Sequence, residues 1–437
     1  MMNQDTPRGR LERLGPERIT PGLARIRALL ADLGDPHLSF PSAIVAGTNG
    51  KGSTVAMLAS IGRRAGLRVG CYTSPHVAAL EERFQIDGYP ISAEGFETHL
   101  DVVLSAADRL TAKGTIAEPP SYFEILTAVA FRYFAEARIE LAVLEVGLGG
   151  RLDATNVTTP RVAVITQIAL DHADWLGDDL RGIADEKFAV APAAGIAVVA
   201  PQEPEVMALI RDRAAARRIT LLEAEHYPVR ERSADERLRY TVDVDGRLRS
   251  YRGMEIALPG HHQIDNARCA LLAAEALDRR RMRIGSDAVW AGLRTVSLPA
   301  RCQWFDGPPR ALLDGAHNPA AAAVLAAYLA AMSSAGTFEK LHMVFGALRD
   351  KDVAGIAVTL YPQADTLVTT RPPSGRAASG QEALAAGTPP TIHEAIEDPE
   401  RALARAMQLA GPRDLICVTG SLYLLGHLAP LLAGRGG

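Results

Sequence analysis

The stretch VAGTNGKGSTVAM, Val45 to Met57, decides the fold. It joins an apolar β-branched run, SAIVAG, to the start of a helical pattern. Gly47, Gly50 and Gly52 stand where backbone N–H groups can approach a phosphate and Lys51 can meet its charge. A standard phosphate loop reads G-x-x-x-x-G-K-[ST], the last hydroxyl holding Mg²⁺. Here Gly52 separates Lys51 from Ser53, which leaves open the group that would hold a metal.

Outward from the loop, short apolar runs alternate with longer helical patterns, as strands and crossover helices do in a mostly parallel sheet. SAIVAG, LAVLEVG, RVAVITQI and IAVVAP form one set of strands; ALLDG, LHMVFG, DTLVTT and LICVTG form a second. Helices are expected at Ser53–Ala65, Tyr122–Glu136, Ile264–Leu277, Pro319–Met332 and Pro399–Leu409. Between the two sets lies TVSLPARCQWFDGPP, Thr295 to Pro309, proline-broken and without helical period. The boundary is placed there, giving domains 1–297 and 298–437. The fold class is α/β with two domains: an N-terminal P-loop-type, mostly parallel sheet flanked by helices, and a smaller C-terminal Rossmann-like α/β domain.

A chain of 437 residues exceeds the roughly 250 to 300 at which single cores stop growing, which agrees with two domains. The net charge of −4 and the absence of basic blocks speak against nucleic acid or a polybasic membrane site. The start, MMNQDTPRGR, is polar, and no apolar run approaches a membrane span of about 20 residues, so a cytoplasmic location is expected. Cys71, Cys269, Cys302 and Cys417 are scattered without a CxxC pair and read as reduced structural thiols.

Several motifs end strands or open helices. LAVLEVGLGGRLDATN, Leu141 to Asn156, ends an apolar run in Glu145, at the strand end where α/β sheets place ligands. Glu145 is therefore a candidate Mg²⁺ ligand. RVAVITQI leads into ALDHADWLGDDL with Asp171, His172 and Asp174, a possible metal-binding set. Lys187 follows in IADEKFAV; taken alone it reads as a solvated helix lysine. PGHHQIDNARC carries Asn266, and LLDGAHNPAAAA brings Asp314, His317 and Asn318 to a Pro-started helix. The last strand runs into TGSLYL with Ser421, and VFGALRDKD carries Asp350, Lys351 and Asp352.

Together GTNGKGS, TSPH (Thr73 to His76), SYFE (Ser121 to Glu124), EVGLGGRLDATN, DHADWLG, EK, PGHHQ..NA, LDGAHNP and TGSLYL resemble the folylpolyglutamate synthases of the Mur ligase superfamily. The matches run in order from Gly47 to Leu424, and DHADWLG is similar to the bifunctional dihydrofolate synthase/folylpolyglutamate synthases. The resemblance implies ATP bound by Gly47, Thr48, Asn49, Gly50, Lys51, Gly52 and Ser53, with Asn266, Arg301 and Asp314. It implies two Mg²⁺ sites, one at Ser74 and Glu145, the other at His172 and a carbamylated Lys187. A carbamate is an anionic oxygen ligand of the kind Mg²⁺ prefers, which an ammonium is not. Ser121, Phe123, Asp153 and Ala154 match pterin-site positions, and His317 and Ser421 match the neighbourhood of the incoming glutamate.

By the same resemblance the chain ligates L-glutamate to dihydropteroate and to reduced folates through an acyl phosphate, as a monomer. Lys51, His172, Lys187, Asp314 and His317 carry the chemistry. A monofunctional folylpolyglutamate synthase is the competing reading. A cell-wall Mur ligase would need an extra N-terminal domain for which 46 residues leave no room. A nucleotide-binding switch would leave the second-domain motifs without a role. The chain departs from the family pattern at Ser121, where Thr is common, at Phe188-Ala189, which puts bulk after Lys187, and at Ala300, where Gly often precedes Arg.

Overall fold

The computed structural model describes residues 6–15, 20–170 and 179–434. Asp171, His172 and Asp174 lie outside the described residues. Among the described residues no helix is long and apolar enough to cross a membrane.

Strand β1 (Ser42–Ala46) runs into the glycine loop and the helix Lys51–Arg64 leaves it. All of β1 is buried, with Ile44 and Ala46 in one core and Ala43 and Val45 in another, as the alternation of a strand covered on both faces demands. The other strands of this sheet are β2 (Val69–Tyr72), β3 (Phe84–Ile86), β4 (Tyr89–Pro90), β5 (Leu141–Glu145), β6 (Val162–Ile165), β7 (Ile196–Val199) and β8 (Thr220–Glu223). Their order is β4-β3-β2-β5-β1-β6-β7-β8. Six pair in parallel, and β3 and β4 add an antiparallel edge. β5 and β6 lie on opposite sides of β1, so the order reverses beside the loop, at the kind of switch point where such sheets bind ligands.

One face is covered by the helices Ala93–Ala112 and Tyr122–Glu136, the other by Lys51–Arg64, His262–Leu277 and Ser286–Thr295. A separate antiparallel sheet, β9 (Val229–Ala234), β10 (Tyr240–Asp245) and β11 (Ser250–Glu255), packs Val242, Val244 and Met254 into the second core.

The C-terminal domain has its own sheet: β12 (Gln303–Phe305), β13 (Arg310–Asp314), β14 (Leu341–Phe345), β15 (Thr366–Thr369), β16 (Ile392–Ala395) and β17 (Leu415–Thr419), ordered β12-β13-β17-β14-β15-β16. All pairs are parallel except β12 with β13. Helices Pro319–Ser334 and Val353–Leu360 cover one face; Pro399–Leu409 and Leu422–Ala433 cover the other.

Candidate active site

The loop is held too tightly to accept side chains at Gly47 or Gly50. Gly47 (φ +145°) would place a Cβ 1.9 Å from Thr166 Oγ1, and Gly50 (φ +87°) would place one 2.3 Å from Asn266 Oδ1. The loop is thus pressed between the end of β6 and the start of the helix His262–Leu277. Lys51 Nζ curls back to donate to Gly47 O and Thr48 O, both at 3.1 Å. Thr48 Oγ1 fastens the loop's other side, donating to Ala169 O at 2.9 Å and accepting from Ala169 N at 3.0 Å.

Parallel register pairs Val45 with Glu145, which sets the Glu145 carboxylate beside the loop. Glu145 is 5 % exposed and its Oε2 accepts the Ser74 N–H at 3.1 Å. A Cβ on Gly52 would lie 3.8 and 3.9 Å from the two carboxylate oxygens, so the glycine after Lys51 keeps clear the space between helix start and carboxylate. Burial pushes the Glu145 carboxyl up, against the pull of Lys51, the Ser74 N–H and Arg301. A desolvated carboxylate adjoining a serine is a hard oxygen donor set that fits a small divalent cation.

Lys187 does not behave as a solvated helix lysine. It is 5 % exposed on the helix Leu180–Phe188, and Nζ donates to Gly47 O at 3.0 Å. Phe188, next to it, is buried in the core cluster that also holds Ile183 and Ala184. Asn266 Nδ2 donates to Gln263 Oε1 at 2.9 Å, and Gln263 Nε2 reaches Ser53 Oγ at 3.3 Å, so the two helix starts meet at the loop.

Across the domain boundary, the Asp314 carboxylate is committed within the second domain: Oδ1 accepts Ala316 N at 3.0 Å and Oδ2 accepts Cys302 N at 2.9 Å. Arg301 lies between two residues with left-handed backbone, Ala300 (φ +60°) and Cys302 (φ +44°), and Nη1 donates to Ala300 O at 3.2 Å. An alanine at an αL position carries roughly 1–2 kcal/mol of strain that a glycine there would not.

A cavity of about 790 Å³ is lined from both domains, by Ser74, Ser121, Phe123 and Asp153 with Ala154 from the first and by His317 and Ser421 from the second. The Gly47–Ser53 loop, Glu145, Lys187, Asn266, Arg301 and Asp314 do not line it. Ser121 caps the helix Tyr122–Glu136: its Oγ accepts Glu124 N at 3.3 Å while Glu124 Oε2 accepts Ser121 N at 2.7 Å. Asp153 braces the glycine-rich turn by accepting Gly147 N and Leu148 N at 3.0 Å and Thr155 N at 2.9 Å. Burial pushes its carboxyl up against these bonds.

His317 Nδ1 must donate to Gly315 O, at 2.7 Å, because a carbonyl only accepts; Nε2 is therefore the nitrogen that accepts in the neutral ring. Ser421 is 2 % exposed, and among the described residues its Oγ has no hydrogen-bond partner. Arg83, Arg151 and Arg376 also line the cavity, and sequence reasoning did not single them out. Arg151 sits within the glycine-rich run that follows Glu145, whereas no strand-end motif marks Arg83 or Arg376.

Among the described residues, the group of acidic and histidine side chains with metal-binding spacing is Glu223, Glu225 and His226. It sits at the surface beyond β8, and Arg211 already pairs Glu223 at 2.5 Å.

The Mur ligase middle domain matches residues 45–274, and the Mur ligase glutamate ligase domain matches residues 300–422. The dihydrofolate synthase/folylpolyglutamate synthase of Mycobacterium tuberculosis is 39% identical over 86% of this chain and 80% of its own. The chain belongs to the folylpolyglutamate synthase/dihydrofolate synthase family of Mur ligases. A probable bifunctional folylpolyglutamate synthase/dihydropteroate synthase of Halobacterium salinarum is 36% identical over 95% of this chain, and the chain spans only 50% of that relative's length. Solved structures of the family superpose closely. The Mycobacterium tuberculosis folylpolyglutamate synthase complexed with ADP has a TM-score of 0.90 at 34% identity, covering 97% of both chains. The Yersinia pestis bifunctional folylpolyglutamate synthase/dihydrofolate synthase, complexed with AMPPNP and Mn ion, has a TM-score of 0.82 at 33% identity, covering 97% of this chain and 96% of its own.

Proposed function

We propose that this ligase couples ATP cleavage to the joining of L-glutamate to dihydropteroate, giving dihydrofolate, and to reduced folates, giving folylpolyglutamates. The observation that carries the reading is the cavity lined from both domains, which brings Ser74, beside Glu145 and the glycine loop, together with His317 and Ser421. Residues 1–297 would supply the nucleotide and pterin sites, and residues 298–437 the glutamate side. The ligands named for the relatives, ADP, AMPPNP and Mn ion, support nucleotide and divalent metal here.

A carboxylate does not accept an amine at neutral pH because oxide is no leaving group. An acceptor carboxylate oxygen bonds to the γ-phosphorus as ADP departs; the glutamate amine then bonds to the acyl carbon, losing a proton, as inorganic phosphate leaves. The loop N–H groups and Lys51, released from Gly47 O and Thr48 O, would hold the phosphates. Ser74 and Glu145 would hold Mg²⁺, which offsets repulsion between acceptor carboxylate and phosphate. Carbamylated Lys187 and His172 would hold a second ion; density for the carbamate in crystals grown with bicarbonate tests this, and a bare amine there sinks it. Phe123 would lie against the pterin ring. His317 would take the ammonium proton at Nε2, and Ser421 Oγ would bond the glutamate carboxylate.

The test is ATP-dependent phosphate release with glutamate, offering dihydropteroate and tetrahydrofolate in turn. Release with both is expected. Release with tetrahydrofolate alone would leave the monofunctional reading, and release with neither would end the ligase reading.

A further inference from the structure

We propose that Asn318 is a positioning residue that latches the second domain onto the phosphate loop through Asn49. The inference rests on the ligase reading above and adds a role for a side chain outside the catalytic set.

Asn318 is 3 % exposed and caps the helix Pro319–Ser334, its Oδ1 accepting Ala321 N at 2.8 Å. A cap needs an acceptor alone, and serine, threonine or aspartate supply one about as well. The amide does more. With Oδ1 committed to the cap, Nδ2 donates across the domain boundary to Asn49 Oδ1 at 3.2 Å. The cap itself sets the orientation of the amide, so the donor toward Asn49 follows from the helix geometry.

Asn49 lies between Thr48 and Gly50, and its backbone N–H is already bonded to Gln167 O at 3.2 Å. Among the described residues its side-chain Nδ2 is buried without a hydrogen-bond partner. The one acceptor of that side chain is thus turned to the second domain, and a donor is left unspent in the loop. An uncompensated buried donor is costly, and it persists where a bound group will satisfy it. Asn318 directly follows His317, which lines the cavity. The bond therefore sets how far His317 stands from the loop.

Other contacts join the domains without touching the site. Tyr328 Oη donates to Arg237 O at 2.9 Å, and Arg237 pairs with Asp306 at 2.5 Å. Loss of the latch would leave these in place and free the site side of the interface.

Asn318→Ser and Asn318→Ala separate cap from latch. Three quantities are measured: thermal midpoint, kcat/KM for glutamate, and compaction on adding ADP by small-angle scattering. The alanine variant, lacking cap and latch, is expected to lose midpoint, activity and compaction. The serine variant is expected to recover the wild-type midpoint, yet show kcat/KM for glutamate down about fivefold, the weight of one neutral hydrogen bond, and a looser ADP-bound particle. Wild-type kcat/KM and compaction in the serine variant would overturn the latch, as would a midpoint loss equal to that of alanine. If the unmodified chain releases no phosphate with any acceptor, the ligase reading fails separately, and the scattering comparison still decides the latch.

Discussion

The two ends of the same strands differ in how their polar groups are satisfied. β17 begins after Asp414, whose carboxylate accepts Gly411 N at 2.7 Å, Lys340 N at 3.1 Å and His342 Nε2 at 3.0 Å. It ends before Ser421, whose buried hydroxyl has no partner among the described residues. β5 repeats the contrast: Glu140 before it is exposed and accepts Arg68 N at 2.9 Å, while Glu145 at its end is buried with its carboxyl pushed up. The Ser421 hydroxyl without a partner and the desolvated Glu145 carboxyl both lie at carboxyl ends, where open α/β sheets bind ligands, which makes a substrate or ion the expected partner there.

The contrast breaks most plainly at Glu145. Glu145→Gln is expected to cut turnover by about 10²–10³-fold, the scale of losing one well-placed electrostatic group, while the thermal midpoint is kept. Steady-state kinetics and a melting curve check both. A large midpoint loss with modest kinetic change would make Glu145 a structural residue. Gly50→Ala comes next: its Cβ would meet Asn266 Oδ1 at 2.3 Å from a backbone at φ +87°. Strain of about 1–2 kcal/mol is expected to weaken nucleotide binding roughly tenfold, as calorimetry with ADP would show.

How much of this was legible in the sequence follows from how local each feature is. β1, β5 and the helix Tyr122–Glu136 are written in contiguous runs, with Ser121 and Glu124 spelling the capping box. β2, which leads to Ser74, was not read as a strand, because Val69–Tyr72 contains glycine and cysteine and only one β-branched residue. The antiparallel sheet of β9 to β11 was also missed, since β9 is almost wholly exposed and its residues, VRERSA, look like loop. In the site, strand-end residues were legible, whereas Arg83 and Arg376 reach the cavity only through tertiary approach. The bond from Cys302 N to Asp314 was equally invisible, because it joins residues twelve apart through the left-handed backbone at Ala300 and Cys302.

Smaller effects sharpen the same comparison. Ser421→Ala is expected to raise the KM for glutamate about five- to tenfold, the scale of one ordinary hydrogen bond, without lowering the thermal midpoint, because its hydroxyl holds no partner among the described residues. A midpoint loss with unchanged KM would make it structural instead. Asp414→Asn should do the reverse, lowering stability by about 1–3 kcal/mol and leaving every KM unchanged. Burial pushes the Asp414 carboxyl up, but the Gly411 N–H, His342 and the Lys340 N–H outweigh it, and the net direction is down. A depressed carboxyl stabilises fully above its ordinary value of 3.8, and that stability is lost as pH falls through the lower folded value. The gap between variant and wild type in denaturant titrations should therefore shrink under acid. A gap that stays constant to pH 2 would contradict the assignment.

The most direct measurement is anomalous diffraction from crystals of this chain grown with Mn²⁺ and AMPPNP. A manganese peak between the Glu145 carboxylate, Ser74 and the nucleotide phosphates on the Gly47–Ser53 loop is the expected result. Manganese confined to the surface group Glu223, Glu225 and His226, with Glu145 holding no ion, would contradict it.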